Sequence, residues 1–255
     1  RFSFNAINFS LVVPILKFGI PFLPAALFSM MLESADKFML SYYMGDHYVG
    51  VYSASYKLGI FGLLIVMAFN MGWTPYFLEN GRKSGAFNNF SAIQTLFLGF
   101  LGFLGVLLTI FIPVVVHWDW LGYSLIGAEF VDGIIILPWI LMSYYFFGLY
   151  VLLLPKIYIF EKTNLIPIVR GGGAALNIML NIILIPAWGI MGAAIANLLA
   201  YMLMSIGLFV ITNKLKSTSY NLLGLIFPLI MWFAVIYFNN YIFSLSILCL
   251  YPALW

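Results

Sequence analysis

Long apolar runs, each close to the length that crosses a lipid bilayer, fill almost the whole of this chain. About eight are present, at roughly 14–40, 50–78, 91–116, 131–155, 164–187, 189–212 and 221–239, with an incomplete one from 241. Hydrocarbon offers no partner to a backbone N–H or C=O, so a spanning segment is a helix or a strand of a closed barrel. No alternating strand pattern interrupts these runs, which leaves helices. Charge agrees: 7% of residues are Asp, Glu, Lys or Arg, against about 25% in a soluble domain. The mean hydropathy is +1.08. The expected fold class is all-α, a polytopic transmembrane helix bundle, with no soluble domain and no low-complexity linker.

Several local features refine this. Pro14, Pro21 and Pro24 predict kinks in the first run. Gly99, Gly102 and Gly105 predict a close helix–helix approach in the third. Pro186-Ala187-Trp188-Gly189 predicts a tight turn that makes the fifth and sixth spans an antiparallel hairpin. Lys and Arg alternate between loops. They occur at Arg1 and Lys17, Arg82 and Lys83, Lys156 and Lys162, and Lys214 and Lys216, and are missing near Asp46, in 118–132, and near Pro186 and Asn240. Loops rich in Lys and Arg stay in the cytoplasm, so the expected N-terminus is cytoplasmic, and Asn89-Phe90-Ser91 on the same side is no glycosylation site. The net charge of +3 is spread over loops and is not a nucleic-acid signal. Cys249 is a single thiol, and no Cys/His cluster suggests a metal; His47 and His117 are isolated, and no cofactor is expected. Both ends read as cut, as in a fragment of a longer transporter.

Charge inside the spans is costly and marks interiors or watery cavities. Glu33, Asp36 and Lys37 share one helical face at i, i+3 and i+4. They read either as a structural cluster or as a site, with Lys37 meeting a phosphate or sugar acid and Glu33 or Asp36 carrying a coupling H+ or Na+. Lys57 has no carboxylate at i±3 or i±4, so it either snorkels to the surface or faces anionic cargo in a cavity. Arg170, Asn177 and Asn181 form a stripe at i, i+7 and i+11. They either line the same route or, more blandly, bond neighbouring helices and headgroups. Asn70 shares a face with Trp73 and Thr74, and Trp73 is either an interfacial anchor or a sugar-stacking platform. Glu129 and Asp132 read as solvated. The first two spans and the fifth are expected to converge on one polar cavity.

Five separated stretches resemble the polysaccharide-export flippases, the Wzx-type O-antigen and capsule transporters of the MATE-like superfamily. They are Phe18-Gly19-Ile20-Pro21-Phe22-Leu23-Pro24, Ser34-Ala35-Asp36-Lys37-Phe38, Val49-Gly50-Val51-Tyr52-Ser53-Ala54-Ser55-Tyr56-Lys57, Trp73-Thr74-Pro75-Tyr76-Phe77, and the run from Asn177 to Asn181 and on through Pro186 to Ala194. Gly127-Ala128-Glu129-Phe130 is similar as well. The resemblance implies two six-helix lobes, of which 1–212 is the second, with 213–255 two additional helices and the N-terminal lobe missing. It also implies a multi-pass protein of a bacterial or archaeal cytoplasmic membrane. Such a protein flips undecaprenyl-diphosphate-linked oligosaccharide by alternating access, without covalent chemistry. The alternatives are a cation-coupled multidrug exporter, whose cavity is acidic, and a membrane-embedded polysaccharide-pathway enzyme, which needs clustered carboxylates or a His/Asp pair.

Overall fold

The computed structural model describes residues 9–117, 126–218, 220–238, 246 and 251. Every regular element among them is helical: α1 (Phe9–Gly19), α2 (Phe22–Met44), α3 (Asp46–Asn80), α4 (Ala86–His117), a 3-10 helix (Ala128–Ile136) running into α5 (Leu137–Ile159), α6 (Leu165–Trp188), α7 (Ile190–Leu215) and α8 (Leu222–Phe238). Six helical stretches among the described residues are long and apolar enough to cross a membrane: Val12–Met44, Asp46–Asn80, Ala86–His117, Ala128–Ile159, Leu165–Trp188 and Ile190–Leu215. Length and composition thus make this a multi-pass membrane protein. The expected seventh run forms α8, whose 17 residues fall short of those six. The expected eighth, and Arg1, Asn240 and Cys249, lie outside the described residues, as does most of the 118–132 loop.

Proline decides where the first run breaks. Pro21 and Pro24 supply no N–H to the carbonyls four residues before them, and Ile20 and Pro21 leave the helix between α1 and α2. Beside this break the Thr163 hydroxyl donates to the Phe18 carbonyl at 3.1 Å, the kind of external partner a broken membrane helix needs.

The middle of the bundle is α5. Of its 23 residues, 17 are buried, against α3, α4 and α7. α6 packs on α7 and on α2, and α8 on α4. The glycine face of α4 takes α8: a Cβ at Gly105 would lie 2.1 Å from the Trp232 ring, and one at Gly102 2.4 Å from Pro228. The Trp232 indole N–H donates to Thr109 Oγ1 at 3.0 Å, and Tyr251 Oη to the Gly99 carbonyl at 2.9 Å. The α6–α7 turn is tighter than the sequence suggested. Pro186 and Ala187 remain helical, and Gly189 alone reverses the chain at φ 60°. A side chain at that φ is strained and would also press on Met44.

The basic residues gather at one end. Lys156 donates to the Lys216 carbonyl at 2.7 Å, and the Lys216 ammonium sits 4.5 Å over the Phe87 ring. Lys17, Arg82, Lys83, Lys162 and Lys214 lie at the ends of the helices that meet there. This is the end that the charge rule assigns to the cytoplasm. The Met44–Asp46 turn and Gly189 mark the opposite end.

Candidate functional site

α2 buries a narrow stripe, Ala25, Leu32, Asp36 and Leu40, at helical spacings of seven, four and four. Ser29, Glu33 and Lys37, also four apart, run along the adjacent face. The charged cluster is therefore divided between two environments, although its members are one turn apart.

Asp36 is fully buried. Its Oδ2 accepts from Tyr52 Oη at 2.5 Å and from Asn197 Nδ2 at 2.9 Å, and its Oδ1 from the Lys37 backbone N–H at 2.8 Å. Asn197 Nδ2 also reaches Tyr52 Oη at 3.1 Å. The chain continues from Asn177 Nδ2 to Asn197 Oδ1 and from Asn181 Nδ2 to Asn177 Oδ1, both 3.0 Å. Its last atom, Asn181 Oδ1, is buried with no hydrogen-bond partner. This polar lattice joins α2, α3, α6 and α7. Buried polar groups persist in such places because each satisfies another.

Beside the lattice lies a cavity of about 490 Å³. Glu33, Ser34 and Lys37 of α2 face Ser53, Tyr56, Lys57 and Ile60 of α3, and Tyr144 and Phe147 of α5 with Tyr201 of α7 complete the wall. Lys57 stands eleven residues into α3, about 16 Å along the helix from that end, and is exposed. The Lys37 ammonium sits 5.5 Å over the Tyr56 ring, and Tyr56 meets Tyr144 edge-on at 6.0 Å. Two ammoniums, one carboxylate and four aromatic rings thus line one hollow, a setting in which an anion would be drawn to Lys37 and Lys57.

The remaining residues singled out by the sequence lie elsewhere. Asn177 and Asn181 belong to the lattice and not to the cavity wall, so α5 and α7 line the cavity where α6 was expected to. Arg170 bonds Tyr150 and Ser29, and none of the three is a lining residue. Asn70 accepts from Thr74 within α3 at 3.2 Å and is not a lining residue. Trp73 is neither an interfacial anchor nor an open platform: it is 2% exposed, stacked on Phe69 and Tyr76 and edge-on to Phe77 and Phe90.

Asn197 went unseen in the sequence, although a lone amide in the apolar span 189–212 was a signal. Tyr52, Tyr56, Tyr144 and Tyr201 carried no signal of their own, because tyrosine is common throughout this chain. No family model, no curated protein and no solved structure matches this chain.

Proposed function

We propose that this chain is a lobe of a membrane transporter for an anionic amphiphile, and that the cargo's charged head occupies the cavity between α2 and α3. The observation that carries the reading is the pair Lys37 and Lys57 in one cavity, with Glu33 in the same wall and the rings of Tyr56, Tyr144 and Tyr201 around them. A cationic drug would favour a hollow with the opposite balance. The sequence resemblance supplies the finer proposal. The cargo is a lipid-linked oligosaccharide on a diphosphate, flipped in the manner of the O-antigen and capsule flippases of the MATE-like superfamily, alongside a preceding six-helix lobe. Under this reading Lys37 and Lys57 meet the diphosphate, the tyrosine rings face the first sugar, and Asp36 or Glu33 carries a coupling H+ or Na+. Alternating exposure of a site between helices is how transporters of this general kind move cargo without bond chemistry.

Lys57→Ala tests it. Surface polysaccharide is measured in a host whose own copy of the gene is deleted, normalised to the protein's abundance in the membrane. The expected result is loss of export at near-normal abundance, with Lys57→Arg retaining part, since the charge stays and the shape changes. Full export by Lys57→Ala at normal abundance would remove this residue and most of the anionic-cargo reading.

A further inference from the structure

Arg170 lies in the second turn of α6, and its guanidinium is held by neutral groups from two other helices. Nε donates to Tyr150 Oη of α5 at 3.0 Å, and Nη1 to Ser29 Oγ of α2 at 2.8 Å and to the Ala25 carbonyl at 3.5 Å. Its Cζ sits 5.5 Å over the Tyr150 ring. One side chain therefore ties α2, α5 and α6 together.

The position of this tie relative to the cavity matters. Ser29 is one turn of α2 from Glu33, which lines the cavity, and Tyr150 is one turn of α5 from Phe147, which does the same. Both steps lead toward the basic end of the bundle. The Phe147 ring bridges the two regions, stacked on Tyr150 at 6.4 Å and edge-on to Tyr201 at 5.5 Å. The tie thus stands one turn from the cavity wall, on its basic side.

A guanidinium keeps its charge at any accessible pH. Its bonds to an anion add a charge–charge attraction that neutral oxygens do not offer. Here its three acceptors are two hydroxyls and a carbonyl, so an anionic head one turn away is the better partner. We infer that Arg170 is a latch on the basic side of the cavity, for which an anion in the cavity competes with Tyr150 and Ser29. Anion binding and latch opening are then linked, and each favours the other by the same factor. The inference rests on the anionic-cargo reading, because a cationic cargo would leave the latch shut.

The test uses the full chain with Cys249→Ser and a single reporter, Ser34→Cys, in the cavity wall. The protein is reconstituted in liposomes. Labelling by a charged, membrane-impermeant thiol reagent is measured from the basic end, and farnesyl diphosphate binding is measured by equilibrium dialysis. In the otherwise wild-type protein, farnesyl diphosphate should speed labelling several-fold and farnesol should not. Arg170→Gln should label fast without any diphosphate and respond no further. Tyr150→Phe removes only one acceptor, leaves the packing intact and should fall between the two. If farnesyl diphosphate binds but Arg170→Gln and Tyr150→Phe label as slowly as wild type, the latch is overturned. If both variants open the cavity while farnesyl diphosphate neither binds nor changes labelling, closure by Arg170 stands, and the competition falls together with the anionic-cargo reading.

Discussion

Asp36 and Lys37 are consecutive residues of one helix, yet they belong to two different kinds of interior. Asp36 is fully buried, with three donors on its carboxylate. Lys37 lines a cavity, its ammonium over the face of Tyr56. The polar lattice around Asp36 is a closed set, in which nearly every hydrogen-bonding atom is matched by another from a different helix. The cavity around Lys37 and Lys57 is an open set, in which charges are held apart. A closed set stabilises a fold and resists change, whereas an open set contributes little to stability and is available to a ligand. A step of about 100° around the helix is enough to move a side chain from one to the other.

The contrast is most severely tested by Asp36→Ala. It strands the Tyr52 hydroxyl and the Asn197 amide in a dry site, so unfolding in mixed detergent micelles should show a loss of about 3 kcal/mol. A loss below about 1 kcal/mol would mean that the lattice is not closed. Asn197→Ala breaks the contact of α7 with Asp36, Tyr52 and Asn177 together, and about 2 kcal/mol is expected by the same assay. Asn181→Ala sits at the end of the chain and removes a single bond, so about 0.6 kcal/mol is expected, the average for such bonds within membranes.

Lys37→Ala and Lys57→Ala should change stability least, by no more than about 0.5 kcal/mol, while export falls. A stability loss at Lys57 as large as that at Asn197 would erase the distinction between the two regions. Asp36→Asn sharpens it from the other side. The amide keeps the volume and some of the hydrogen bonds, so abundance should stay near normal. Export should fall if the carboxylate carries the coupling ion and persist if its role is only to tie the helices.

The two regions were unequally legible in the sequence. Glu33, Lys37 and Lys57 stand out because charge within an apolar run is rare and costly, and all three line the cavity. Asn177 and Asn181 stood out as a stripe, but a stripe of amides reads the same whether it faces a ligand or another helix. Which one applies depends on Asn197 and Asp36, which come from distant parts of the chain. Trp73 posed the same difficulty, since an indole in an apolar span suits an interface, a platform or a core. Its burial against Phe69, Tyr76, Phe77 and Phe90 decides for the core.

By itself, the sequence determined that this chain is a bundle of membrane-length helices, that prolines disturb the first of them, and that the basic loops share one end. These follow from local chemistry: the desolvation of backbone groups, the missing N–H of proline, and the placing of Lys and Arg outside the hydrocarbon. Tertiary structure alone decided that α5 is the buried centre, that Tyr144 and Tyr201 wall the cavity, and that Arg170 is bound to Tyr150 and Ser29. In a chain this apolar, nearly every face of every helix is hydrophobic enough to be buried. Hydropathy therefore does not say which face meets which, and shape and the matching of a few polar atoms across helices make that choice.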